Sequence, residues 1–301
     1  MTLTELRYIV TLAQEQHFGK AASKCFVSQP TLSVGVKKLE DDLGVALFER
    51  TRTSVTVTPI GKKIVLQAQK VLEAAATVKQ IASTGFDQLK TPLRVGTTYT
   101  IGPYLFPHLI PQLKTATPNM PLYIEENFTA ILRRKLRIGE LDSIIIALPF
   151  TEPDVLTQPL YDEPFQVLLP AGHPWEARQA INPLDLVDEE LLLLGEGHCF
   201  RDQIIAACPA LAHKKDNAIE HGGIVADTLE TIRHMVASGM GISVLPQSAM
   251  INSFYAPDVL STRPFHSPAP SRTVALAWRV SFPRPKAIEA LSQALRLCSF
   301  S

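Results

Sequence analysis

Leu191-Leu-Leu-Leu194 followed by Gly195-Glu-Gly-His-Cys-Phe-Arg-Asp-Gln203 decides how the larger part of this chain is read. Four leucines in a row make a short buried strand, and the glycines that follow close it in a turn. Phe200 to Ala207 then reads as a helix of about two turns, stopped by Pro209. A strand, a turn and a helix in this order are one unit of an alternating α/β fold. Cys199 falls at the start of the helix, where backbone N–H groups and the positive end of the dipole favour a thiolate, and His198 and Arg201 flank it. Cys208 lies nine positions further on, roughly 13–14 Å away along an unbroken helix. A disulfide needs Cα atoms within about 7 Å, so the two sulfurs join only if the helix comes apart. A reactive thiol and a distant partner on one short helix are the elements of a switch.

Outward from this unit the pattern repeats. Strands are expected at Leu93–Gly96, Leu122–Glu125, Ser143–Leu148, Phe165–Leu169, Gly241–Leu245 and Arg272–Trp278, and helices at Tyr104–Lys114, Ala130–Ile138, Leu229–Ser238 and Lys286–Leu297. These units imply two small parallel-sheet lobes, with the chain crossing between them near residues 163 and 268. Ligands of such sheets bind beyond the C-terminal strand ends. Thr97 to Thr100, Thr129 and the Gly195 loop occupy such positions.

The first ninety residues follow a different rule. Short amphipathic helices at Leu3–Ala13 and Phe18–Cys25 lead through a turn to a third helix, from Gln29 to about Asp42. Ser28 is its N-cap and Pro30 is tolerated in its first turn. Leu32, Val36 and Leu39 form its buried face, and Gln29, Thr31, Ser33, Lys37 and Lys38 its polar set. This is a helix-turn-helix whose third helix enters a DNA major groove, with Gln29 suited to an adenine edge and Thr31 and Ser33 to bases or phosphates. Phe48 to Val57 reads as a β-hairpin wing carrying Arg50 and Arg52 to phosphates or the minor groove. The competing reading is a three-helix core with a solvated charged face. Thr58-Pro59 starts a long helix to about Thr84, in which Ile64, Val71 and Val78 recur every seven residues with Ala68, Ala75 and Ala82 between them. That seam predicts a dimer, against the alternative of a helix packed on its own domain. Gly85 to Pro92 reads as a hinge.

Charge agrees with this division. Residues 1–90 hold 12 Lys and Arg against 8 Asp and Glu, and the remainder 17 against 21, so a neutral chain conceals a basic head on an acidic body. No basic leader runs into a long apolar stretch and no run of about 18 apolar residues occurs, so a cytoplasmic protein without a membrane span is expected. In that compartment Cys25, Cys199, Cys208 and Cys298 rest reduced and any disulfide is transient. Their spacing fits no zinc pattern, and no cofactor is expected. Cys25 lies in an apolar helix and Cys298 ends an amphipathic one, and both read as packing residues.

Phe18-Gly-Lys-Ala-Ala22, Val27-Ser-Gln-Pro-Thr-Leu-Ser33, Lys38-Leu-Glu40, Leu43-Gly44, Leu47-Phe-Glu-Arg50 and Thr58-Pro-Ile-Gly61 together resemble the LysR-type transcriptional regulators. The resemblance covers the whole chain. It implies a winged helix-turn-helix over 1–58, a dimerising linker helix and hinge over 59–91, and a periplasmic-binding-protein-like effector domain. Lobe I of that domain is 92–162 with 269–301, and lobe II is 163–268. Thr98-Tyr-Thr-Ile-Gly-Pro-Tyr-Leu-Phe-Pro-His108, the Gly195–Gln203 stretch, Cys208 and Leu229-Glu-Thr231 resemble the hydrogen-peroxide-sensing members of the family. This likeness implies that Cys199 is the peroxidatic thiol and Cys208 the resolving one, and that Thr100, Thr129 and His198 line the peroxide pocket. The segment between Cys208 and Thr228 varies in this group, so no pocket role is assigned to His221. The implied protein is an activator of oxidative-stress genes that binds double-stranded promoter DNA and RNA polymerase, is a homodimer through the linker helix and a homotetramer overall, and is reset by a glutathione, glutaredoxin or thioredoxin type reductant. Two other functions fit the residues: a regulator answering to a small metabolite in the interlobe cleft, and a thiol peroxidase, against which the DNA-binding head argues.

Overall fold

The computed structural model describes residues 1–50, 55–84, 87–209, 211, 226–250 and 259–298. The chain divides into two compact units, Met1–Gly85 with Arg137–Glu140, and Phe86–Leu136 with Leu141–Ser301.

The first unit opens with helices α1 (Leu3–Glu15), α2 (Phe18–Lys24) and α3 (Gln29–Leu43). Each start has a local cause. Thr2 and Glu5 form a reciprocal capping box on α1, the His17 imidazole accepts from the Lys20 N–H on α2, and the Ser28 hydroxyl accepts from the Thr31 N–H on α3. Leu32, Val36 and Leu39 are buried against Ile9, Leu12 and Ala21. A hairpin follows, with β1 (Phe48–Arg50) antiparallel to β2 (Val55–Val57). The Arg50 side chain and Arg52 lie outside the described residues.

Helix α4 (Pro59–Thr84) has the predicted bounds. The Thr58 hydroxyl accepts from the Gly61 N–H at 2.9 Å and donates to the Ala46 carbonyl at 2.9 Å, which ties the helix start to the wing. Its heptad seam is divided in use. Ile64 and Ala68, with Val65 and Leu72, pack into the core formed by α1 to α3, whereas Val71 is exposed and Val78 is 66% exposed. The seam expected to face a partner therefore serves the helix's own domain in its first half.

In the second unit β3 (Leu93–Thr97), α5 (Gly102–Ala116), β4 (Leu122–Glu126), α6 (Thr129–Arg137) and β5 (Ser143–Ala147) alternate as expected. β3 is parallel to β4 and to β5. The sheets are not simply parallel, however. β6 (Val155–Pro170) is one strand of 16 residues, and β10 (Ser271–Arg279) lies antiparallel to both β5 and β6. Beyond Pro164 the partners of β6 change to β8 (Ile242–Pro246) and β9 (Leu260–Pro264), again antiparallel, while β7 (Leu191–Leu192) is parallel to β8. The chain leaves lobe I on β6 and returns on β10 with no helix at either crossing, so the two crossing strands pair with opposite sense.

Helices α7 (Cys199–Ala207), α8 (Leu229–Ala237) and α9 (Gln247–Met250) belong to lobe II, and α10 (Pro285–Arg296) packs on lobe I. Lobe I buries an apolar layer on each face of its sheet, one around Leu105, Leu109 and Leu291, the other around Leu132, Leu136 and Ile146. Lobe II has a single core that includes Val167, Phe200, Ile204, Cys208 and Leu245. No described helix is long and apolar enough to cross a membrane.

Candidate functional site: a thiol at a helix start beside a buried guanidinium

Leu194 bridges to Ala226, and the Gly195 N–H donates to the Ala226 carbonyl at 3.0 Å. Gly197 turns the chain at φ 91°, a left-handed conformation that side chains resist. His198 is then the N-cap and Cys199 the first residue of α7. The Arg201 guanidinium reaches back to the Leu194 carbonyl at 2.9 Å and closes the strand-turn-helix. Cys199 is half-buried, Cys208 is 1% exposed, and neither is bonded to another cysteine. The Cys208 N–H donates to the Ile204 carbonyl at 3.0 Å, so the whole helix stands between the two thiols. Cys208 belongs to the lobe II core and lines a small cavity there with Phe165, Ile204, Val244 and Phe265.

His198 does not cap α7 with its side chain. Its ring lies 4.7 Å from that of Phe128, edge to face, and 6.1 Å from that of Tyr99, so a lobe II loop meets two aromatic rings of lobe I. Burial pushes the imidazole pKa below its usual value, opposed by the charge of Asp227. The unfolded chain thus takes up this proton more readily than the fold does. The stability linked to His198 is present above the ordinary histidine pKa and is lost as pH falls through the depressed value. Between pH 7 and pH 5 the native chain is expected to lose more melting temperature than its His198→Gln variant. Parallel melting curves, or an NMR titration of the ring, check this. Equal losses in the two proteins would show that His198 carries no such linkage.

Thr100 is buried in the loop between β3 and α5. It is not the cap of α5, whose N-cap residue is Ile101. Its hydroxyl accepts from Arg272 Nη1 at 2.9 Å, and its carbonyl from Arg272 Nη2 at 2.8 Å. Arg272 is 3% exposed on β10, pairs with Glu163 at 2.7 Å, and lies over the ring of Phe200, the neighbour of Cys199, at 5.2 Å. Thr129 begins α6, and its hydroxyl, like His198 Nε2, is buried without a hydrogen-bond partner among the described residues. Unmatched polar atoms in a folded interior cost free energy, and here two occur in residues flanking one aromatic contact. Sequence reasoning named Thr100, Thr129 and His198 but missed Arg272, Glu163, Phe128 and Tyr99. The one available signal was an arginine immediately before the run Thr273-Val-Ala-Leu-Ala277, because a charge in a buried strand requires a partner.

In the first unit Gln29, Pro30, Thr31 and Lys37 are exposed and Ser33 is half-buried. Thr31 shares a 2.7 Å hydrogen bond with Ser28, which holds its hydroxyl at the helix start. Lys38 is held by Glu5 at 3.0 Å and is less free than its place in the polar set implies. Phe26, in the turn before Ser28, is 95% exposed at φ 57°. His221 lies outside the described residues.

Comparison with known proteins agrees over the whole length. Residues 3–62 match the lysR-family bacterial regulatory helix-turn-helix, and residues 86–297 the LysR substrate binding domain. The chain is 39% identical over 296 residues to the DNA-binding transcriptional dual regulator OxyR of Escherichia coli K12, covering 98% of this chain and 95% of that protein. Full-length OxyR C199D from Pseudomonas aeruginosa is 63% identical with a TM-score of 0.73, covering 100% of this chain and 96% of the other. An H2O2-bound cysteine-to-serine mutant of Corynebacterium glutamicum OxyR is 35% identical with a TM-score of 0.63, covering 98% and 91%. The helix-turn-helix with its wing, the two-lobed α/β domain and these matches make the chain a member of the LysR family of DNA-binding transcriptional regulators, a homologue of OxyR and not an enzyme.

Proposed function

We propose that this regulator senses hydrogen peroxide through Cys199 and converts the oxidation into a change of DNA contacts. The observation that carries the reading is the placement of Cys199 and Cys208 at opposite ends of α7, with Cys199 half-buried and Cys208 in the core. The Cys199 thiolate attacks one peroxide oxygen. The O–O bond breaks, an S–O bond forms, and the departing hydroxide takes a proton to leave as water. Sulfur is oxidised by two electrons and peroxide is reduced. The Thr100 and Thr129 hydroxyls and His198 surround the peroxide, and Arg272 supports Thr100. The Cys208 thiol then displaces water from the sulfenic acid to give the disulfide. That bond requires α7 to unravel, which biases lobe II between two arrangements. A dithiol reductant of the glutaredoxin or thioredoxin type, or glutathione, resets the switch by taking up the oxidising equivalents.

Residues 1–58 bind double-stranded promoter DNA through Gln29, Pro30, Thr31, Ser33, Lys37, Arg50 and Arg52. Residues 59–91 pair two chains along the side of α4 that carries Val71 and Val78. Lobe I comprises 92–162 with 269–301, and lobe II 163–268. A homotetramer contacting RNA polymerase at oxidative-stress genes in the cytoplasm completes the reading. It is supported by the OxyR relatives, several of which are named hydrogen peroxide-inducible genes activators. Footprinting of the reduced and peroxide-treated protein on one promoter tests it. The two forms are expected to protect different lengths of DNA, and both to lose affinity steeply as salt rises. Identical footprints and identical transcription would rule the reading out.

A further inference from the structure

Arg272 faces Glu163 directly across the β6–β10 ladder, and both are almost fully buried, at 3% and 4% exposed. One carboxylate oxygen of Glu163 takes Arg272 Nε at 2.7 Å and Nη2 at 2.7 Å. The other accepts the Ser248 N–H at the start of α9 at 3.0 Å. Both oxygens are committed, so the carboxylate is fixed from both sides. Two of the three remaining guanidinium donors go to Thr100, from Nη1 to its hydroxyl and from Nη2 to its carbonyl. A hydroxyl oxygen that accepts from a cation directs its own hydrogen elsewhere, and the Thr100 hydroxyl also shares a long, 3.5 Å hydrogen bond with the Thr98 hydroxyl, in which either oxygen can donate. When Thr98 is the donor of that pair, the Thr100 hydrogen is left to a ligand, polarised by the cation behind it.

We propose that Glu163 is a positioning residue for peroxide reduction: it orients Arg272, which turns the Thr100 hydroxyl toward the departing oxygen of peroxide. The inference rests on the peroxide reading above and extends it to a residue that touches neither sulfur nor peroxide. The competing role is that of a fastener between lobes, since Glu163 holds Ser248 of lobe II while its partner Arg272 holds Thr100 of lobe I. A fastener affects folding and every reaction of Cys199 alike. A positioning residue affects only the reaction that uses the Thr100 donor.

The test uses the reduced full-length protein. Glu163→Gln keeps the shape and removes the charge. Its rate of Cys199 sulfenic acid formation with hydrogen peroxide, followed by stopped flow, is expected to fall at least about tenfold. Its alkylation by iodoacetamide, which needs no oxygen leaving group, should stay within about twofold of the native rate. Thr100→Val should lose peroxide reactivity to a similar degree, and the double variant should be no slower than the slower single by more than about twofold, because both act through one hydroxyl. If Glu163→Gln does not fold, Glu163→Asp, which draws the charge back by one methylene, is read by the same criteria. A native peroxide rate in the Glu163 variant, an equal loss in both reactions, or losses that multiply in the double variant would overturn the proposal. In each of those cases the native protein still reacts. A native Cys199 inert to peroxide would instead remove the sensing function itself, and this assignment with it.

Discussion

Cys199→Ser is expected to lose the peroxide response entirely, with the rate of oxidation falling at least about a thousandfold, while promoter binding in the reduced mode remains. The thiolate is the nucleophile, and a serine hydroxyl is neither ionised near neutrality nor as polarisable as sulfur. The change is small in volume and sits at a half-buried helix start, so the fold should survive it. A regulator answering to a metabolite between the lobes would tolerate this substitution. A promoter reporter, read beside stopped-flow oxidation of the purified protein, separates the two. Full induction by peroxide in the serine variant would leave Cys199 without a sensing role.

The second large effect concerns Cys208. Cys208 is buried and lines a small cavity with Phe165, Ile204, Val244 and Phe265, and to reach Cys199 its sulfur must leave that setting. The same movement breaks α7, whose Phe200 and Ile204 are buried in the lobe II core. Exposing three such side chains forfeits roughly 1.5–3 kcal/mol each for the larger ones, so the total approaches the stability of a whole domain. Condensation of a sulfenic acid with a thiol must supply that energy, and the rearrangement stays local because global unfolding would compete. Cys208→Ala removes the resolving thiol and a small buried volume. Oxidation should then stop at the sulfenic acid, α7 should persist, and the reduced protein should lose only about 1 kcal/mol. Trapping with a sulfenic-acid reagent and intact mass after peroxide measure this. A normal DNA-binding change in the alanine variant would show that the disulfide is not what moves the lobe.

How much of this was legible beforehand follows from where the information lies. α3 and α4 could be bounded closely because their starts are written locally, in Ser28 and in Thr58-Pro59. The αβ units around β3, β5 and α7 were legible because apolar runs alternate with helical periodicity. β6 was legible only as its end, Phe165–Leu169, because Pro159 and Pro164 lack the N–H that a continuous ladder uses. In the fold Pro159 sits beside an irregularity in the β10 pairing, and Pro164 at the change of partners from β10 to β8 and β9, so both prolines fall where the ladder is already interrupted. The contacts of the site were legible only in part. Cys199, Cys208 and the pocket threonines belong to local motifs. The union of Glu163, Thr100 and Arg272 joins residues 63, 109 and 172 positions apart in sequence, and only the crossing strands bring them together. The heptad seam of α4 shows the opposite failure: periodicity reports which side chains must be covered, but not whether the same chain or a second one covers them.

Hydrogen–deuterium exchange across residues 199–208, before and after one equivalent of peroxide, with the cysteine states read by mass in the same samples, addresses the mechanism most directly. In the reduced protein the α7 amides should be protected. In the oxidised protein a Cys199–Cys208 crosslink should appear together with near-complete loss of that protection, and both should reverse on adding a dithiol. A crosslink formed with α7 still protected, or lost protection without a crosslink, would contradict the coupling of sulfur chemistry to the unravelling of this helix.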